Sequence, residues 1–254
     1  MDQEGQEQRS RRGIYLLPNM ITTAGLFAGF YAIVAAMSGR FEPAAVAIFV
    51  AMVMDGIDGR VARLTNTQSE FGVQYDSLSD MICFGLAPAL VMYEWSLKSM
   101  PSVGWAKLGW LAAFIYTAGG ALRLARFNAQ VATAEKGYFK GLPSPSGAGV
   151  MAGFVWIGVD VGIQGVDVAY LAFVLTIAVG LLMVSNIRYY SFKEFDFKNR
   201  VPFTVILLVV MVYVFASIDP PKVLFSGFLV YALSGIAYTV VKIRMQRRLR
   251  NRTE

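Results

Sequence analysis

Eight apolar runs, each close to the length of a membrane-crossing helix, constrain this chain more than any other feature. They lie at about 18–38, 43–64, 72–96, 106–131, 145–164, 166–187, 201–217 and 222–243, and roughly 20 apolar residues span a bilayer as a helix. A soluble domain would carry about 25% charged residues; here they make up 16% of 254, against 56% apolar. A transmembrane barrel requires alternating apolar and polar residues, whereas these runs are continuously apolar. The links are short, and the fifth and sixth runs are separated only by Asp160 to Asp167. The expectation is an all-α, polytopic helical bundle of about eight transmembrane helices, forming a single membrane domain over residues 1–254.

Basic residues give the bundle an orientation. With the N-terminus in the cytoplasm, 19 Lys and Arg fall on the cytoplasmic side: Arg9, Arg11, Arg12, Arg60, Arg63, Arg123, Arg126, Lys136, Lys140, Arg188, Lys193, Lys198, Arg200 and six more from Lys242 onward. Only 4 fall on the other side, Arg40, Lys98, Lys107 and Lys222. That asymmetry predicts both termini inside, in the cytoplasmic (inner) membrane. It also accounts for the net charge of +6 through topology and attraction to anionic headgroups, not nucleic-acid binding. The tail RMQRRLRNR is expected to continue the last helix into the cytoplasm. The basic N-terminal segment leads into a full-length span with no small-residue cleavage site, so no cleavable signal is expected. Cys83 is the single cysteine and reads as a small core residue; there is no histidine.

Small residues suggest where helices meet. Gly25 and Gly29, and Gly149 and Gly153, are four apart, the spacing that lets helices approach closely. The segment ATAEKGYFKGLPSPSG at 132–147 is the most irregular cytoplasmic piece. Pro145 is expected to start the fifth helix with Ser144 as its cap, and a helix N-terminus there offers N–H groups to an anion.

One polar stretch interrupts the apolar pattern. MDGIDGRVARLTNTQSEFGVQYDSLSD, residues 54–80, carries Asp55, Asp58, Asp76 and Asp80. Carboxylates within a membrane segment mark a functional site by default. Asp55 and Asp58 are three apart and share a face of the second helix; Asp76 and Asp80 are four apart and share a face of the third. Asp58 and Asp76 lie about 6–9 Å below the cytoplasmic helix ends, and Asp55 and Asp80 about 12–14 Å below. The four are therefore expected to meet as two facing pairs. Carboxylates that close need compensation, from protons as in a relay, from Arg60 and Arg63, or from a divalent cation. Oxygen-only ligands suit Mg²⁺ or Mn²⁺, and such an arrangement can hold a diphosphate for in-line displacement. Gly59, Ala62 and Gly72 leave space beside the aspartates in which a flat group such as a nucleobase could lie.

Written as D-x-x-D-G-x-x-A-R-x8-G-x3-D-x3-D, through Asp55, Asp58, Gly59, Ala62, Arg63, Gly72, Asp76 and Asp80, the stretch resembles the motif of the CDP-alcohol phosphotransferase (phosphatidyltransferase) family at every position. The surroundings are similar to the family's membrane-embedded phosphatidylserine synthase branch: YLLPNMIT at 15–22, DSLSDMICFGLAPA at 76–89, ALRLARFN at 121–128 and FKGLPSPSGAG at 139–149. The resemblance implies transfer of phosphatidyl from CDP-diacylglycerol to L-serine with release of CMP, a homodimer, and two divalent metal ions, Mg²⁺ or Mn²⁺. It implies metal ligation by Asp55, Asp58 and Asp76, and Asp80 as the base that takes the serine proton while also touching metal. Gly59, Ala62 and Gly72 would form the cytidine pocket, with Arg63 and Asn19 near the phosphates. It also implies a catalytic core over 14–190 and an additional helix pair over 200–245.

Serine needs partners of its own. Its carboxylate suits an arginine fork, and Arg123 and Arg126, three apart near the cytoplasmic end of the fourth run, are the candidates, with Arg126 favoured because it lies nearer that end. Asn128 and Ser144 are further candidates. A different acceptor, glycerol-3-phosphate or inositol phosphate, would leave the chemistry unchanged. An ion or proton transporter using intramembrane carboxylates is the alternative of another class, but midplane acids in both halves are then expected, and all four aspartates cluster on one side.

Overall fold

The computed structural model describes residues 3–100, 106–130, 138–190, 207, 211, 214, 215 and 217–253. The first helix, α1, runs Gln3–Met37, and α2 follows over Phe41–Leu64. Then come α3 (Glu70–Asp80), a π-helical turn (Met81–Leu86), α4 (Ala87–Trp95) and a short 3-10 turn (Leu97–Ser99). After these lie α5 (Ala106–Gln130), β1 (Tyr138–Lys140), α6 (Ser144–Asp160), α7 (Ala169–Val184), β2 (Arg188–Tyr190) and α8 (Pro220–Thr253).

Three of these helices are long and apolar enough to cross a membrane, over Leu16–Met37, Leu108–Ala129 and Pro220–Lys242. The chain is a helical integral membrane protein. The other apolar runs are less uniform than their composition implies. Glu42, Asp55, Asp58, Arg60 and Arg63 all lie on α2. The third run is a composite of α3, the π turn and α4. Helices α6 and α7 have 17 and 16 residues. The run at 201–217 falls mostly outside the described residues, and the side chains of Arg9, Arg11, Arg12, Lys136, Lys193, Lys198 and Arg200 lie outside them too.

Helix packing follows the small residues. Lipid is as apolar as any side chain, so association depends on close van der Waals contact. Along the extensive α1–α2 interface, Ala28, Ala32, Ala35 and Ala36 of α1 are buried, as are Ala44, Ala45, Ala47 and Ala51 of α2. A Cβ on Gly25 would lie 3.3 Å from Met54 Cβ, and one on Gly29 2.7 Å from Cys83 Sγ. Gly149 and Gly153 seat α6 against Phe228 and Phe225 of α8. At the α5–α7 crossing the backbones touch, since a Cβ on Gly119 would lie 2.5 Å from Gly180 O. Both glycine pairs thus serve packing.

One element departs from an all-helical reading. Strands β1 and β2 pair antiparallel, with Tyr138 opposite Tyr190, Phe139 opposite Tyr189 and Lys140 opposite Arg188. Three-residue strands carry too little periodicity to be read from sequence. Gly141 ends the ribbon at φ +82°, where a Cβ would come within 2.2 Å of Met183 O, so glycine is required. The ribbon joins the entry of α6 to the exit of α7, and Tyr189 Oη anchors it to α8 by donating to Ala232 O at 3.0 Å.

Candidate active site

Three of the four aspartates converge. Asp55 of α2 and Asp76 and Asp80 of α3 place one carboxylate oxygen each within 4.8 Å of one another. Asp76 and Asp80 are one helical turn apart and so project together. The expectation of two equivalent facing pairs needs correction at Asp58. It is only 2% exposed and accepts a hydrogen bond from Thr22 Oγ1 of α1 at 2.6 Å, outside the close cluster. All four still line one cavity of about 10 Å³, together with Thr22, Gly25, Ala51, Ser79, Cys83 and Phe84. Such a space is the size of a single water or ion.

The donor set fits a hard divalent cation. Its ligands are carboxylate oxygens, which suit Mg²⁺ or Mn²⁺. Cys83 borders the cavity, but its thiol is engaged with Gly25 O at 3.3 Å. Thr22 is a site residue that the sequence reading did not single out. Its signal is a hydroxyl one turn after Pro18, and the helix carbonyl of Pro18 also accepts from it at 3.1 Å.

Beside this cavity opens a larger pocket of about 260 Å³. Asn19, Gly59, Ala62, Arg63 and Gly72 all line it, as do Asp58 and Asp76. Helix α3 begins at its edge, where Ser69 caps by accepting from Gly72 N–H at 3.0 Å. A Cβ on Gly72 would lie 3.5 Å from Asn19 Oδ1, so the two face each other. At Gly59 no atom lies within 4 Å of a built Cβ, so protein packing does not require glycine there. Gly59→Ala is therefore expected to leave the fold intact or stabilise α2 by about 0.5–1 kcal/mol. If the pocket holds nucleotide, the same change raises the KM for the nucleotide substrate; thermal unfolding and a substrate titration on one preparation check both halves.

The residues expected to hold the acceptor divide into separate groups. Arg123 Nη1 donates to Ser144 Oγ at 2.8 Å, and its guanidinium lies within electrostatic reach of Asp80. Its Nε is buried and has no hydrogen-bond partner among the described residues. Arg126 is directed elsewhere, to Ser185 O at 3.4 Å and Asn186 Oδ1 at 3.5 Å beyond α7. Asn128 Nδ2 donates to Ser77 Oγ of α3 at 3.0 Å. Ser144 does not cap α6: Pro143 occupies that position, no side chain caps the helix, and the 1% exposed Ser144 hydroxyl serves Arg123 instead.

A cluster of carboxylates from α2 and α3 beside a glycine-lined pocket defines a class, and comparison with known proteins gives it a name. The chain belongs to the CDP-alcohol phosphatidyltransferase family, whose profile matches residues 15–184. It is similar to the CDP-diacylglycerol–serine O-phosphatidyltransferase of Helicobacter pylori, with 33% identity over 230 residues, covering 91% of this chain and 94% of the relative. The protein of that name from Methanocaldococcus jannaschii is 34% identical over 180 residues, 71% of this chain and 76% of the relative. The one from Mycobacterium bovis is 38% identical over 189 residues, 70% and 63% respectively.

Proposed function

We propose that this protein transfers the phosphatidyl group of CDP-diacylglycerol to the hydroxyl of L-serine, giving phosphatidylserine and CMP. The observation that carries the reading is the convergence of Asp55, Asp76 and Asp80 beside the pocket lined by Gly59, Ala62, Arg63, Gly72 and Asn19. The names of the relatives support serine as the acceptor.

Asp55, Asp76 and Asp80, with Asp58, would hold one or two Mg²⁺ or Mn²⁺ ions. Bound there, the ions would neutralise the diphosphate and stabilise charge developing on the leaving phosphate. The pocket offers cytidine a flat approach over Gly59, Ala62 and Gly72, with Arg63 and Asn19 beside its phosphates. Asp80 accepts the proton of the serine hydroxyl. The serine oxygen then bonds to the phosphorus bearing diacylglycerol, the bond from that phosphorus to the bridging oxygen breaks, and CMP leaves with the electron pair. Arg123, placed by Ser144 and facing Asp80, is the better fork for the serine carboxylate, in preference to Arg126.

The wider frame belongs to the same proposal. It comprises eight transmembrane helices with both termini cytoplasmic, a site opening to the cytoplasm at the inner membrane, a catalytic core over 14–190, a helix pair over 200–245, and a homodimer. The basic-residue asymmetry supports the orientation.

The reading is tested with purified protein, CDP-diacylglycerol, Mn²⁺ and a panel of labelled acceptors. CMP release driven by serine alone is the expected result. Release driven by glycerol-3-phosphate or inositol phosphate reassigns the acceptor, and no release with any acceptor rejects the transferase reading. Within the serine reaction, Arg123→Lys is expected to raise the KM for serine at least about tenfold with little change for CDP-diacylglycerol, because an ammonium does not replace a bidentate guanidinium. Arg126→Lys is expected to change it much less, and the reverse ranking in a serine titration returns the fork to Arg126.

A further inference from the structure

Pro88 lies in the first turn of α4. It has no N–H, and in an unbroken α-helix its ring would collide with the carbonyl four residues earlier, that of Phe84. The helix widens there instead. Met81–Leu86 form a π turn in which Ala87 N–H reaches back to Ile82 O, five residues away. The carbonyls of Phe84 and Gly85 both receive a donor from outside the helix. Tyr116 Oη of α5 donates to Phe84 O at 2.9 Å, and the neighbouring Thr117 Oγ1 donates to Gly85 O at 3.2 Å. Helix α5 comes close enough because glycine faces glycine: a Cβ on Gly120 would lie 3.3 Å from Gly85 Cα. Tyr116 is completely buried.

This turn is continuous with the acidic cavity. It starts at the residue after Asp80, and its Cys83 and Phe84 line the cavity with the four aspartates. We propose that Tyr116 and Thr117 are positioning residues for the transfer reaction. By holding the carbonyls of the π turn that Pro88 opens, they fix the face on which Asp80 joins Asp55 and Asp76, and they hold the cavity wall in place. The inference rests on the metal-dependent reading above. Neither residue touches substrate; both act through the backbone that carries Asp80.

The test uses purified full-length protein. Mn²⁺ binding is followed without substrate by the electron paramagnetic resonance of free Mn²⁺, alongside kcat at saturating Mn²⁺ and thermal unfolding. Tyr116→Phe and Thr117→Val are expected to weaken Mn²⁺ binding by about 10-fold, the lower end for groups that orient metal ligands, and to lower kcat. Thr117→Ser restores a hydroxyl and is expected to recover wild-type binding. Tyr189→Phe removes an equally buried tyrosine bond, to Ala232 O, and is expected to lower the unfolding temperature while leaving Mn²⁺ affinity unchanged. If Tyr116→Phe does not fold, the Thr117→Val and Thr117→Ser pair decides the question. Clamp variants that lose thermal stability but keep wild-type Mn²⁺ affinity and kcat overturn the inference alone. A wild-type protein that binds no Mn²⁺ overturns it together with the metal reading.

Discussion

Asp80→Asn is expected to abolish phosphatidyl transfer while preserving part of the binding of CDP-diacylglycerol. Asparagine keeps the shape of the side chain but cannot accept the acceptor's proton. A positioned general base contributes about 10²–10⁴-fold, so the rate should fall by at least about 100-fold, or about 2.7 kcal/mol of barrier. Partial binding survives because Asp55, Asp58 and Asp76 still line the cavity. Asp55→Asn, by contrast, is expected to weaken binding and turnover together, since Asp55 is the only member of the close cluster supplied by α2. Single-turnover rates with preloaded substrate separate the two variants. An Asp80→Asn enzyme that keeps more than about a tenth of the wild-type rate, a deficit below about 1.4 kcal/mol, removes Asp80 from the role of base.

Removal of divalent cations is expected to have an effect as large. Carboxylate oxygens of three aspartates gather within 4.8 Å, and like charges that close do not all remain ionised without compensation. The substrate then adds a diphosphate. Treatment with EDTA should therefore reduce CMP release to background, and Mg²⁺ or Mn²⁺ should restore it. Arg123 alone does not supply the missing charge, since its single guanidinium lies within electrostatic reach of Asp80 while three carboxylates gather there. Full activity after exhaustive chelation would falsify the assignment of a metal to this cluster.

The sequence made some parts of this site legible because a covalent spacing carried them. Asp76 and Asp80 share a face whatever surrounds them, and the glycines beside them leave space wherever the helix packs. The small-residue pairs at Gly25 and Gly29 and at Gly149 and Gly153 were readable for the same reason, since the four-residue repeat is itself the packing surface. What spacing does not encode is which partner a side chain chooses across helices. Asp58 matched Asp76 in depth, yet Thr22 of a third helix supplies its hydrogen bond. Ser144 stood in the position of a cap, yet Arg123 engages its hydroxyl and Pro143 takes the capping position. Arg126 shares a helix face with Arg123, yet from its place nearer the end of α5 it meets Ser185 and Asn186. The π turn was hidden for a different reason. Pro88 is visible in the sequence, but whether a helix kinks, ends or widens at proline depends on the donors that the neighbouring helix brings, here Tyr116 and Thr117.

The close cluster draws its ligands from α2 and α3, and both of these helices pack more extensively on α1 than on each other. A cation bound between them is therefore also a clasp across a cleft. Ligation to the folded chain alone shifts the unfolding equilibrium by mass action, by about 2.7 kcal/mol at a hundredfold excess over the dissociation constant. The reagent that carries the chemistry would then double as a fastener. Stripping it would leave crowded carboxylates on two helices joined chiefly through α1, so the metal-free protein is expected to unfold at a lower temperature than the metal-loaded one.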